Sequence, residues 1–265
     1  MKKILFSLVI ISFFLSSGKT FAQDTLGGTV KYMQITKLDF SGRKGRGMDD
    51  QRFKDFIADL PEESKIVKTL YFTEKASLYE EVAAENASVD PKERRAAMFM
   101  SMGRKPKASV EKVYIDLENS KKTELLMFMT RNFIVESDIE AKSWKLSNEM
   151  KKIQGFTCMK AEMIITKDSA RTDSIVAWFT PEIPLSIGPE NYTGLPGLVM
   201  AVEKNRETIL LASTVEMTLP KDGTIVVPSD GKKVTKEELD QIIKEKIEEF
   251  KASGGGMGPG GGRPH

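Results

Sequence analysis

The chain has 265 residues, 40 basic against 38 acidic side chains, one His and one Cys. At about 150 residues per domain this allows one large domain or two small ones. A composition of 40% hydrophobic and 29% charged residues excludes a polytopic membrane protein, a collagen-like chain and a wholly disordered one. With the single His at position 265, a Ser–His–Asp triad, a Cys–His pair or a His-rich zinc site is almost impossible to assemble.

Residues 1–22 read as a secretory signal peptide: Lys2 and Lys3 lead a 12-residue apolar run from Ile4 to Leu15, and Thr20-Phe21-Ala22 offers small residues at −3 and −1. The run is too short to cross a ~30 Å hydrocarbon core as a helix. Cleavage after Ala22 removes three lysines and no acid, so the formal charge falls from +2 to −1 over the remaining 243 residues. A nearly neutral chain gives no support for nucleic-acid binding. The expected location is periplasmic or extracellular, with no transmembrane segment after the leader. Cys158 is then a lone thiol in an oxidising compartment; flanked by Phe156, Thr157 and Met159, it reads as a small buried apolar residue.

Thr29–Phe40 alternates Val30, Tyr32, Leu38 and Phe40 with charged positions, the period of a half-buried strand. Phe53, Phe56, Ile57 and Leu60 recur at helical spacing within 49–60, with Asp49 or Asp50 as cap and Pro61 as stop. In 64–79 the even positions Ile66, Leu70, Phe72, Ala76 and Leu78 return to the strand period. Asp90-Pro91-Lys92-Glu93 opens a helix to Met102: Asp caps, Pro takes the first position and Glu the third. Val113–Leu117 and Glu124–Val135 flank a polar hairpin connector, and further strands are expected at 143–149, 156–166, 174–180, 197–204 and 207–219. Lys167-Asp168-Ser169, Lys204-Asn205-Arg206 and Asp222-Gly223 supply turns. Thr235 with Glu238 forms a capping box for a last helix striped by Leu239, Ile242, Ile243, Ile247 and Phe250. Residues 253–265 hold seven glycines and read as a flexible tail. Strands joined by short polar connections imply an antiparallel meander.

The chemistry-bearing candidates are few. Met98, Met100 and Met102 are soft thioethers suited to Cu(I), but three sulfurs share a face only on a strand, and the start signal at Asp90-Pro91 makes this a helix. The basic clusters at 43–46, 94–95 and 104–107 read as solvated surface. No carboxylate pair stands out, and there is no P-loop, GxSxG or HExxH. The unusual segment is 175–203. A strand ending at Thr180 meets Pro181, and a loop with Pro184, Gly188-Pro189, Gly194 and Pro196-Gly197 leads into a second apolar strand from Leu198. A stiff loop of this length is either a packed plug, as Leu185, Ile187, Leu195 and Leu198 favour, or a presented interaction surface. Its candidate interaction residues, with the preceding strand, are Trp178, Pro181, Pro184, Gly188, Pro189, Gly194, Leu195, Pro196 and Gly197. Trp178 is expected in the core.

Gly194-Leu195-Pro196-Gly197-Leu198-Val199 resembles the signature of the GLPGLI family of secreted bacterial proteins, with Val199 in place of the final Ile. Ala177-Trp178-Phe179-Thr180, Ile183-Pro184 and Gly188-Pro189 are similar to that family too, as are Trp144–Ala161 (WKLSNEMKKIQGFTCMKA) and Phe72 with Ser77–Tyr79. Ala170-Arg171 stands where the family commonly has Gly-Arg, and 81–108 and the Gly-rich tail look like additions to the core. The resemblance implies an envelope protein without an established activity and carries over no catalytic residue. The expected fold is mainly β (β-rich α+β): one large curved antiparallel sheet closing toward a half-barrel, with two or three peripheral helices, one against its concave face. A single domain over 23–252 holds a helical insert around 81–108. The functional expectation is a non-enzymatic binding or interaction module without cofactor or metal, its partner an outer-membrane or envelope protein. The alternatives are a periplasmic carrier of an apolar small molecule such as a lipid, and a Met-based copper-handling protein.

Overall fold

The computed structural model describes residues 26–40, 50–81, 90–101, 106–168, 171–221 and 224–252. The expected leader, the Gly-rich tail, Met102, Asp222-Gly223 and most of the basic clusters at 43–46 and 104–107 lie outside them. Among the described residues the order is β1 (Gly27–Lys37), α1 (Gln51–Ala58), β2 (Glu63–Thr73), β3 (Ala76–Glu80), α2 (Pro91–Ser101), β4 (Ser109–Asp116), β5 (Lys121–Phe128), β6 (Arg131–Asp138), β7 (Lys145–Ile153), β8 (Phe156–Asp168), β9 (Arg171–Thr180), β10 (Leu198–Lys204), β11 (Thr208–Glu216), β12 (Lys232–Val234) and α3 (Lys236–Ala252).

All twelve strands join one sheet, ordered β12-β6-β5-β4-β3-β2-β1-β11-β10-β9-β8-β7 and not closed into a barrel. Two meanders, β2 to β6 and β7 to β11, are each antiparallel throughout, and β1 lies between them, antiparallel to both β2 and β11. β12 alone pairs in parallel, with β6.

Two expected runs each hold a hairpin instead of one strand. The 64–79 segment turns at Glu74-Lys75, and Leu70 pairs with Tyr79 and Phe72 with Ser77. Partners across that turn have opposite parity, so Tyr79, not Leu78, shares a face with Leu70. The 124–135 run turns at Met129-Thr130, with Met129 at φ 58°. Neither turn contains Gly, Pro or Asn, so neither was visible as punctuation.

The helix starts follow the expected capping chemistry. The Asp50 carboxylate accepts from the Arg52 amide, and the Asp90 carboxylate from the Lys92 amide at 2.8 Å. Thr235 and Glu238 exchange reciprocal bonds at 2.9 and 3.1 Å. α3 lays Leu239 on Phe128, Phe133 and Val135, with Ile242 and Ile243 alongside, while Phe250 at its far end is half exposed. α1 and α2 form a separate cluster in which Leu60, Ala96 and Phe99 are buried beneath Leu38, Phe40, Phe53, Phe56 and Ile57. Met98 and Met100 lie on α2 and not on a strand, and Met98 is exposed. No helix among the described residues is long and apolar enough to cross a membrane.

The face that carries Val30, Tyr32, Leu70, Phe72, Tyr79, Val113 and Ile115 is the inner one. α3 covers its far end at β5 and β6; over the centre it is filled by the chain between β9 and β10.

Candidate functional site

The loop 181–197 contains no helix or strand, yet its apolar side chains are buried: Ile183, Ile187, Leu195 and Leu198, where β10 begins, are at most 2% exposed. Ile183 and Ile187 sit among Tyr32, Phe72, Cys158 and Met200, and Leu195 and Tyr192 sit among Ala161, Phe179, Val199 and Leu210. A loop without regular structure must still satisfy its backbone groups, and β10 supplies partners. The Leu198 amide donates to the Ile183 carbonyl and the Val199 amide to the Ile187 carbonyl, each at 2.9 Å. The Tyr32 hydroxyl donates to the Val199 carbonyl at 2.6 Å, pinning the β10 backbone from the sheet side. The Gly194 amide donates to Ser186 Oγ at 2.7 Å, and Trp144 Nε1 donates to the Thr193 carbonyl at 2.9 Å.

The two glycines of the signature have different reasons to be there. A Cβ on Gly197 would land on the Thr180 carbonyl, so nothing larger lets the loop close onto the end of β9. Gly194 has free space around it but φ 89°, a region other residues rarely adopt. The segment is a packed plug whose outer side remains in solvent. Of the candidate residues, Gly188, Pro189, Leu195 and Gly197 are buried, whereas Pro181, Pro184, Gly194 and Pro196 are exposed beside Glu182 and Ser186. Trp178 is half-buried against the central cluster, with Lys151 Nζ 4.0 Å from its ring centroid, so it is not the fully buried core residue expected.

Glu182 Oε1 accepts from the Thr157 amide at 2.7 Å, tying the outer side of the loop to the β7–β8 hairpin. Cys158, on β8, is fully buried, and desolvation pushes its thiol up to about 11. The thiolate, the reactive form, is therefore suppressed at neutral pH.

A second feature was not found in the sequence. The chain turns at 189–192, where the Tyr192 amide reaches the Pro189 carbonyl at 3.2 Å, and Glu190 takes φ 53°. That places the half-buried Glu190 carboxylate over the inner face near Lys68 on β2, Tyr79 on β3, Glu124 on β5, Lys204 on β10 and Tyr192 of the loop. Burial raises the Glu190 pKa; Lys204 and Lys68 oppose the rise, and Glu124 adds to it. Lys122 pairs with Glu124 at 2.8 Å, both largely shielded, and beside them a cavity of about 10 Å³, room for one water, is lined by Lys122, Lys142, Asn191 and Thr193. Lys142 is held below its ordinary pKa, first by burial and then by Lys122. Lys68 Nζ stands 5.9 Å from the centre of the Tyr79 ring. Among the described residues, three buried side-chain atoms lack a hydrogen-bond partner: Gln34 Oε1, Tyr79 Oη and Thr193 Oγ1. Gln34 and Tyr79 share the inner face by strand register, and Thr193 lies in the loop above it. No local signal marks this group, because its members come from five strands, the 181–197 loop and, for Lys142, the connection between β6 and β7.

Residues 166–201, spanning β9 and the whole loop, match the model of a family described as a protein of unknown function (Porph_ging). No curated protein matches the chain. Among solved structures the chain is similar to PNGF-II in space group C2, with a TM-score of 0.52 at 12% identity over 83% of this chain and 33% of that one. PNGF-II in space group P21 gives 0.49 at 14% identity over 83% and 34%. The chain thus spans about a third of the length of PNGF-II. At that identity the likeness is one of fold: a mainly β chain built on a broad, mostly antiparallel sheet, carrying a segment matched by a family of unknown function.

Proposed function

We propose that the chain is an exported cell-envelope protein of the GLPGLI type that acts as a non-enzymatic binding or interaction module. The observation that carries this reading is the loop 181–197, which is immobilised from beneath and presents Pro181, Glu182, Pro184, Ser186, Gly194 and Pro196 to solvent. A surface fixed before contact loses little conformational entropy on binding, which is what a recognition loop needs. The family match over 166–201 covers this loop and its signature at 194–199, though the family's function is unknown. The leader-like residues 1–22 support export, with cleavage after Ala22, to the periplasm or beyond. The expected partner is an envelope or outer-membrane protein.

The alternative of an apolar carrier has less support, because the central inner face is filled by Ile183, Ile187 and Leu195. The copper alternative is weakened by the helical placement of Met98.

Crosslinking capture from native envelopes tests the proposal. The wild-type chain and a Pro184→Glu/Pro196→Glu variant of equal stability should differ in one captured envelope protein, lost with the variant. Identical capture profiles would remove the loop from the interaction. Recovery of the uncleaved precursor in the cytosolic fraction would remove the export.

A further inference from the structure

We infer that the outer face of the sheet over β2, β1, β11 and β10 is a docking surface for a second copy of this chain, the two faces packing across a two-fold axis. This goes beyond the loop reading and leaves the loop free. The strand register builds the surface. Ile35 pairs with Lys65 and with Ile209, and Ile209 with Glu203, so Lys65, Ile35, Ile209 and Glu203 form one cross-strand row. Val67, Met33, Leu211 and Ala201 form the next row in the same way. Their parity is opposite to that of Tyr32, Leu70, Leu210 and Val202, so they point away from the filled inner face. An antiparallel sheet packed on one face ordinarily carries polar residues on the other. Here six of the eight positions are apolar. Val67 is 48% exposed and Leu211 37%, and none of Met33, Ile35, Val67, Ile209 and Leu211 joins a core cluster among the described residues.

The two charges of this band decide what covers it. Lys65 stands at one end and Glu203 at the other, three strands apart, or about 14 Å at the ordinary strand spacing. Within the chain Lys65 makes an exposed 3.8 Å contact with Glu63. Glu203 is in no ion pair among the described residues, although Lys151 feels its charge. Covering the band with apolar surface would bury Glu203 without a close counter-charge. A second copy supplies one. A two-fold axis along the strands, between β1 and β11, lays β2 on β10 of the second copy and β1 on its β11, the aligned packing of two sheets. Lys65 of each copy then meets Glu203 of the other, Ile35 meets Ile209, Met33 meets Leu211, and Val67 meets the small Ala201. The bordering rows agree. Lys37, whose amide donates to the Glu207 carbonyl at 2.8 Å, meets Glu207 across the axis, Glu63 comes over the Asn205-Arg206 turn, and Lys31 faces Thr214. Lys151, Lys160 and Glu162 lie beyond β10, outside the contact.

Sedimentation equilibrium of the purified chain, over a wide concentration range, tests this. Four strands and two rows fall short of the roughly 800 Å² per partner of a standard interface, so a dimer that dissociates in the micromolar range is expected. Lys65→Glu and Glu203→Lys each place like charges across the axis and should each weaken the dimer about tenfold. Combined, they restore opposite charges and should recover it. That recovery cannot arise inside one chain, where the two positions are three strands apart. Leu211→Glu, at an exposed position, should hold the chain monomeric with its melting temperature little changed; the charge variants carry the same test if it melts lower. A monomer at every concentration would overturn the proposal, and its flotation with phosphatidylcholine vesicles would give the face to lipid instead. A dimer indifferent to Leu211→Glu, or a double variant no tighter than the single ones, would overturn it as well, since another surface would then be pairing.

Discussion

The loop 181–197 and the helical pair α1–α2 invert the usual association of regular structure with rigidity. α1 and α2 have good caps and intact helical backbones, but among the described residues their shared cluster buries Leu60, Ala96 and Phe99, away from the sheet's main core. What ties α2 back to the turn after α1 is the exposed pair of bonds from Lys92 and Arg95 to Asp59, at 2.6 and 3.1 Å. Such surface pairs stabilise little. The loop has no repeating backbone pattern, yet it contributes to both main core clusters and is sewn to β10 at two points. Immobility follows buried apolar contact and backbone satisfaction, whichever conformation provides them.

The largest effect should come from the loop. Gly197→Ala drives a methyl into the Thr180 carbonyl and is expected to cost about 3 kcal/mol, the upper end for overpacking, read from a urea midpoint with unchanged slope. Gly194→Ala meets open space and should cost only the left-handed backbone term, about 1–2 kcal/mol. Equal losses at the two positions would break the distinction between them. Trp178→Ala should cost about 2–3 kcal/mol, short of the roughly 3–5 of a fully buried ring, because one side faces Lys151 and solvent.

Phe99→Ala sharpens the other half of the comparison. Phe99 packs on Phe40, Phe53 and Phe56 with ring centres 5.7–5.8 Å apart, so its loss should free α1 and α2. Amide exchange should accelerate in 51–58 and 91–101 while protection of β1, β10 and β11 stays unchanged. Loss of protection in the sheet would show that the helices belong to the main cooperative unit after all.

The smallest expected effect is a pH dependence at Glu190. Its folded pKa lies above the unfolded one, so the folded state binds more protons between the two values, and stability falls as pH rises through that window. Glu190→Gln should therefore melt higher than wild type at neutral pH and alike at pH near 4. The opposite sign would mean that Lys68 and Lys204 outweigh burial at this carboxylate.

Much of this architecture can be read from local pattern. Alternation along 29–37 and 174–180 marks strands, and Asp90-Pro91 and Thr235-Glu238 mark helix starts, because each depends on neighbours a few residues apart. The hairpins at Glu74-Lys75 and Met129-Thr130 escape such reading, since their turns use residues without a turn preference and are imposed by the pairing on either side. The plug was half legible: Ile187 and Leu195 announce burial, and Gly197 announces a close approach without naming Thr180. The polar group under it was not legible at all, since Glu190 and Tyr79 are 111 positions apart and meet only through the sheet.

The place of β1 also bears on how the chain assembles. β2 to β6 and β7 to β11 can each zip up from short hairpins, but the sheet becomes continuous only when β1 joins both, and Thr29 must find Glu216 across nearly the whole sequence. Closing so long a loop is slow relative to forming hairpins. The first described strand thus waits on one of the latest for its second neighbour, and until then β11 presents an unpaired edge to whatever chaperone or sister chain is nearby.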